Sequence, residues 1–250
     1  AQTAAEAADF AQYFTEYVSK KRAEIGISMI DASRFPEVRA KVHLSRDLNV
    51  NAESLKAMLE VEDQGVSIED FTVEKLEFST TRVLLLTDNS GSMEGAVADL
   101  RNAVTELISG MNENEQFSVV GFDEAIRFDT GFTSDPDVLG AAANQLGAYY
   151  GTELYQSLLY AMNQFPEDPA GNHVVILMTD GMDNNPVPAE TIRDVIGARS
   201  AETGISVYTL GLGSSVDTAY LEAIAEHGNG SFIYASDAES LRSFYDFIHE

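Results

Sequence analysis

Cysteine is absent from this 250-residue chain, so neither a disulfide framework nor a thiolate metal site is available, and pairing says nothing of the redox compartment. No apolar run approaches the ~20 residues that a helix needs to cross a bilayer. The opening stretch AQTAAEAADFAQYF also lacks a basic region followed by an apolar one, so no anchor and no leader is expected in this segment. The chain opens on Ala1, which suggests a mature form or a piece of something longer. Lysine is scarce and one-sided: all five, Lys20, Lys21, Lys41, Lys56 and Lys75, precede residue 76. With no later lysine and no G-x-x-x-x-G-K, a phosphate-binding loop is excluded. Positive charge is short throughout. The formal net charge of -26 repels nucleic acid and anionic membrane surfaces, and neither is expected as a partner.

What is present is a hydrophobic content of 44%, enough for a sizeable core. Residues 1–24 predict a helix, because Phe10, Tyr13, Phe14, Tyr17 and Val18 share one face and Lys20, Lys21 and Arg22 suit its C-terminal dipole. Residues 25–80 predict a small antiparallel β unit. Apolar positions alternate there at Ile25, Ile27 and Met29, at Val38, Ala40, Val42 and Leu44, at Leu59 and Val61, and at Phe71 and Val73, with a turn at Asp63-Gln64-Gly65. From 81 to 250 the pattern changes to apolar strands, VLLLTD, FSVVGFD, HVVILMTD and ISVYTLGLG, separated by helices near 96–109, 135–147, 153–164, 189–203 and 217–227. Strands apolar on both faces belong in a parallel sheet covered by helices. The expected fold is α/β, a doubly wound, Rossmann-like, mostly parallel sheet with helices on both faces. AIRFDTGF follows FSVVGF too soon for a crossover and predicts an antiparallel edge strand. SFIYAS and a helix over 238–248 close the chain.

Hard oxygen donors gather at strand ends. Asp88 ends the first parallel strand and opens the loop Asp88-Asn89-Ser90-Gly91-Ser92; Asp180 ends HVVILMTD before a glycine; Thr152 follows Gly151 in a loop entering a helix. In a doubly wound sheet, ligands sit outside the carboxyl ends of strands, so Asp88 and Asp180 become neighbours if their strands are adjacent. These residues resemble the von Willebrand factor A domain and its metal-ion-dependent adhesion site. The likeness lies in a D-x-S-x-S loop (Asp88, Ser90, Ser92), a threonine (Thr152) and a T-D-G aspartate (Thr179-Asp180-Gly181), over about residues 80–250, with TLGLGSSVD and Leu221, Ile224, Ala225 and Phe232 in support. The segment from Phe35-Pro36 through Asp70-Phe71-Thr72-Val73 is loosely similar to short β modules that precede such domains in bacterial proteins.

The resemblance implies a divalent metal, Mg²⁺ first and Mn²⁺ or Ca²⁺ as alternatives, held through the hydroxyls of Ser90, Ser92 and Thr152, with Asp88 and Asp180 acting largely through water. Mg²⁺ favours octahedral oxygen donors at ~2.0–2.1 Å. Such a first shell leaves charge poorly neutralised, so an Asp or Glu carboxylate of a partner protein is the expected remaining ligand. The implied function is metal-dependent protein binding in adhesion or assembly, extracellular or on a cell surface. The alternative is a module that captures an acid within a larger multidomain protein or an ATPase or secretion complex. Met93, Glu94, Tyr149, Tyr150, Met182 and Asp183 adjoin the loops and are candidates for a partner-binding rim. Asp123, Glu124, Asp183 and Asp217 read as solvated loop carboxylates, and the four histidines show no metal-ligand spacing. An aspartyl phosphatase of the haloacid dehalogenase type would need a second aspartate two residues after Asp88 and a later lysine. Position 90 is serine and no lysine follows, so no enzymatic role is expected.

Overall fold

The structure, a computed structural model, describes residues 25–34, 37–44, 52–63, 66–74, 80–168, 171–213 and 216–234. The expected helix over 1–24, the turn at Gln64-Gly65 and the closing helix lie outside the described residues. Two compact units result: Ala1–Ile27 with Val42–Lys75, and Ser28–Lys41 with Leu76–Glu250.

The alternating stretches form β1 (Ile25–Arg34) and β2 (Glu37–Leu44), which pair in a two-stranded sheet. Next comes an unexpected helix, α1 (Ala52–Met58). Its sequence AESLKAM is made of strong helix formers, with Glu53 in the first turn and Lys56 in the last. Leu59 and Val61 were too few apolar positions to define a period, and both lie outside any strand, as do Phe71 and Val73. The short β3 (Glu62–Asp63) and β4 (Val66–Ser67) pair antiparallel, and the Lys56 ammonium sits 5.2 Å from the centre of the Phe71 ring.

The larger unit holds a six-stranded sheet of β5 (Thr80–Asp88), β6 (Glu115–Phe122), β7 (Ile126–Asp129), β8 (Gly171–Thr179), β9 (Ser206–Gly211) and β10 (Phe232–Tyr234), in the order β10-β9-β8-β5-β6-β7. All neighbours are parallel except β6 and β7, so the expected antiparallel edge strand is present. The helices are α2 (Val97–Ser109), α3 (Pro136–Ala143), α4 (Leu154–Met162), α5 (Ala189–Thr191), α6 (Ala198–Thr203) and α7 (Thr218–His227), with a 3-10 turn at Gly91–Ala96 and a wider π turn at Ile192–Gly197.

Parity divides the core. Val83 and Leu85 point to one face of β5, packing with Phe117, Val119, Ile176 and Met178 under Leu100, Val104 and Leu107 of α2. Leu84 and Leu86 point to the other, with Val120, Phe122, Val175 and Leu177 under Leu154 and Leu158 of α4 and Ile224 of α7. All four β5 side chains are at most 1% exposed, each contributing roughly 1.5–3 kcal/mol of apolar burial. Helix α3 ends before the expected 147. Asp135 caps its start by accepting from the Asp137 N–H at 2.9 Å. Past its end, the Leu146 carbonyl is taken by Arg101 and the Gly147 N–H by Asn89, which directs 147–151 toward the ends of the strands.

Candidate metal centre

Asp88 and Asp180 close adjacent parallel strands. The β5–β8 register pairs Thr87 with Met178, and the next residue, Thr179, donates its hydroxyl to Asp88 Oδ2 at 2.5 Å. The other carboxylate oxygen, Oδ1, accepts from the Ser90 N–H at 2.8 Å. Asp180 Oδ1 accepts from the Met182 N–H at 3.0 Å. Both acids are buried, Asp88 fully and Asp180 at 6% exposure. Burial pushes Asp88 up from 3.8 to about 6, against the lowering effect of Thr179 and Ser90, and the like charge of Asp180 raises it further.

Two serine hydroxyls lie on the loop that Asp88 opens. Ser90 and Ser92 Oγ lie 3.0 Å apart, Ser90 buried and Ser92 exposed. Thr152 is 3% exposed. Its loop is tied to both acid-bearing loops. The Asn89 carbonyl accepts from Tyr149 N–H at 2.8 Å, the Tyr150 carbonyl accepts from Gly91 N–H at 2.7 Å, and Thr152 N–H donates to Asn184 Oδ1 at 3.1 Å. Asn89 is the hinge pin of this arrangement. Fully buried, it donates to the Thr87 carbonyl at 3.2 Å and accepts from Gly147 N–H at 2.7 Å. Sequence reading named its neighbours and passed over Asn89 itself, and likewise the hydroxyl of Thr179; their positions inside D-N-S-G-S and T-D-G were the available signal.

The turn after Asp180 depends on Gly181, which has φ +79 and a backbone where an added Cβ would stand 3.1 Å from the Asp217 carbonyl oxygen. Gly181→Ala is therefore expected to cost about 1–2 kcal/mol of stability from left-handed backbone strain alone. Urea denaturation checks this, and a loss under about 0.5 kcal/mol would show that the turn relaxes freely.

The rim separates into distinct classes. Tyr149, Tyr150 and Met182 are 48%, 66% and 52% exposed, and Glu94 is also exposed. Met93 is fully buried in the core beneath α2 and presents no surface to a partner. Its place in a 3-10 turn, rather than an open loop, swings it inward. Asp183 is committed to the Tyr155 N–H at 3.1 Å. Asp123, expected to be solvated, is 3% exposed and paired with Arg127, whose guanidinium lies 4.2 Å from the Tyr149 ring centre. Glu124 accepts weakly from Gly151 N–H at 3.4 Å, and Asp217 caps α7 through Tyr220 N–H at 3.1 Å.

A small hard cation fits this donor set. Two buried acids repel one another with no cationic group among the described residues acting on Asp88, and every candidate donor is oxygen. Among the described residues no group of three or more His, Cys, Asp or Glu is placed to hold a metal, so any ion here would rest on hydroxyls as much as on carboxylates.

Fold and site together define a doubly wound α/β domain with an oxygen-lined carboxyl edge. The von Willebrand factor type A domain signature matches residues 83–247, and the chain belongs to that family. Mouse inter alpha-trypsin inhibitor heavy chain 4 is 27% identical over 219 residues, covering 81% of this chain and 23% of that protein. The chain thus spans about a quarter of that relative's length. The covered share exceeds what residues 83–247 account for, so the likeness reaches into the segment before Val83. Among solved structures, an aerotolerance-related membrane protein from Bacteroides fragilis superposes with a TM-score of 0.60 at 18% identity, covering 68% of this chain and 98% of that one. The vWF domain of the type V pili tip protein Mfa5 from Porphyromonas gingivalis gives 0.53 at 15% identity, covering 69% and 96%. At these identities both show the shared fold. Domains of this family are typically protein-interaction, adhesion or assembly modules. No helix among the described residues is long and apolar enough to cross a membrane.

Proposed function

We propose that the domain binds a protein partner through a divalent cation, Mg²⁺ in the first instance, held by Asp88, Ser90, Ser92, Thr152 and Asp180. The observation that carries this reading is the pair of buried, mutually repelling carboxylates at the ends of adjacent central strands, with the Ser90 and Ser92 hydroxyls on the loop that Asp88 opens. When bound, the ion supplies an electrophilic position for an anionic oxygen, and a partner's Asp or Glu is the best protein donor for it. The chain's own residues do the rest. Thr179 and the Ser90 amide fix the Asp88 carboxylate, Met182 N–H fixes that of Asp180, and exposed Tyr149, Tyr150 and Met182 offer apolar contact to whatever flanks the captured acid. Serine at position 90 and the lack of a later lysine favour binding over phosphoryl chemistry. An extracellular or cell-surface setting accords with the pili tip description of the Porphyromonas protein.

A second reading, capture of an acid from another domain of a longer protein, is favoured by the small share of the heavy chain 4 relative that this chain spans.

Calorimetric titration with MgCl₂ tests the metal, and pull-down from surface extracts with and without EDTA tests its purpose. Heat of binding and EDTA-sensitive capture are expected; a chain that takes up neither Mg²⁺ nor Mn²⁺ overturns the reading. Thr152→Ala is expected to weaken partner capture more than bare Mg²⁺ binding, because water can replace one hydroxyl in the partner-free site. Equal losses in the two assays would reduce Thr152 to a loop-bracing residue.

A further inference from the structure

Three consecutive residues after Asp180 each grip the segment that carries Thr152. Asn184 does so twice, accepting from the Thr152 N–H through Oδ1 at 3.1 Å and donating its own N–H to the Thr152 carbonyl at 3.0 Å. Asp183 Oδ2 accepts from Tyr155 N–H at 3.1 Å, and Asn185 Nδ2 donates to Glu153 Oε1. Glu153, in the cap position of α4, makes no capping bond with its own side chain, so a first-turn amide is satisfied by an acid 28 residues away. The fit is close: a Cβ on Gly151 would stand 2.6 Å from Asn184 Nδ2, so the amide lies against bare backbone.

We propose that Asp183, Asn184 and Asn185 form a clamp that positions Thr152 for the cation, with Asn184 as its principal positioning residue. The assignment rests on the metal reading above. Asp88, Ser90, Ser92 and Asp180 lie at, or within four residues of, the ends of β5 and β8, whereas Thr152 sits on a loop between α3 and α4. A donor on a loop needs a supporting shell to hold it to within ~0.5 Å of its working place. Here that shell begins three residues after Asp180, so the threonine loop and the aspartate loop are held as one piece.

The test is a double-mutant cycle read by MgCl₂ calorimetry on the intact chain, with hydrogen exchange of the metal-free protein alongside. Asn184→Ala should lower Mg²⁺ affinity about 3- to 10-fold, the range of one ordinary hydrogen bond, and Thr152→Ala by a similar factor. The double variant should be no worse than Thr152→Ala alone, because the clamp acts through that residue. Additive losses, or an Asn184→Ala affinity equal to wild type, overturn the clamp while leaving the metal site standing. A wild-type chain that binds no metal overturns the metal reading, and the positioning role with it. In exchange, Asn184→Ala should release the Thr152 amide and Asp183→Ala the Tyr155 amide, with the amides of β5 still protected. Retained protection at both positions would show that the clamp is not formed.

Discussion

Asp180→Ala should abolish Mg²⁺ binding and EDTA-sensitive partner capture while leaving the domain folded. The side chain sits at the carboxyl edge of the sheet, outside both apolar clusters, so its removal opens no core cavity. Its one intraprotein hydrogen bond on the described residues is local, from Met182 N–H, and closes a turn that Gly181 already shapes. Losing a group that merely supports a metal ligand costs roughly 10–100-fold in affinity, and losing one of two carboxylate donors should exceed that. Calorimetry measures the loss, and circular dichroism with a thermal melt shows whether the fold survives. Unchanged Mg²⁺ binding in this variant would remove Asp180 from the ligand set.

Asp88→Asn should stabilise the metal-free protein at neutral pH and at the same time erase its response to Mg²⁺. The folded state holds the Asp88 proton more tightly than the unfolded chain, since burial raises this carboxyl from 3.8 to about 6. Stability therefore falls as pH rises from about 4 to about 6, and the cost is fully present above that window. A rise of about two pKa units corresponds to about 3 kcal/mol at most. Asparagine keeps the shape and an acceptor for Ser90 N–H without the charge. The expected record is a melting temperature above wild type at pH 7 without metal, a difference that vanishes near pH 4, and no upward shift on adding MgCl₂. A variant less stable than wild type at pH 7 would show that the Thr179 contact outweighs the burial of charge.

The strands of the larger unit were legible because period and length agreed: VLLLTD and HVVILMTD are apolar on both faces, and such runs have few stable places outside a covered parallel sheet. The pairing of Asp88 with Asp180 was legible only as a condition on strand order, and the β5–β8 ladder meets it. What escaped was side-chain work done across loops. Nothing in Gly-Met-Asp-Asn-Asn-Pro indicates that Asp183 caps α4 or that Asn184 holds Thr152, because those bonds join segments 28 to 32 residues apart. Met93 failed as a rim residue for the same reason: adjacency in sequence to Ser92 does not say which way a 3-10 turn aims its side chains. In the smaller unit, α1 was hidden by its brevity, since seven residues hold too little periodicity to separate helix from loop.

The ladder between β5 and β8 joins Thr179 to an acid 91 residues earlier in the chain, whereas β6, its other partner, follows β5 directly in strand order. A growing or refolding chain can thus form the β5–β6 pair well before the second acid arrives, because the longer loop closes at greater entropic cost. The proposed capacity to hold a cation would then be a late acquisition. In stopped-flow refolding, uptake of Mg²⁺ should lag the recovery of sheet signal, making the ion a reporter of completed topology rather than a nucleus for it.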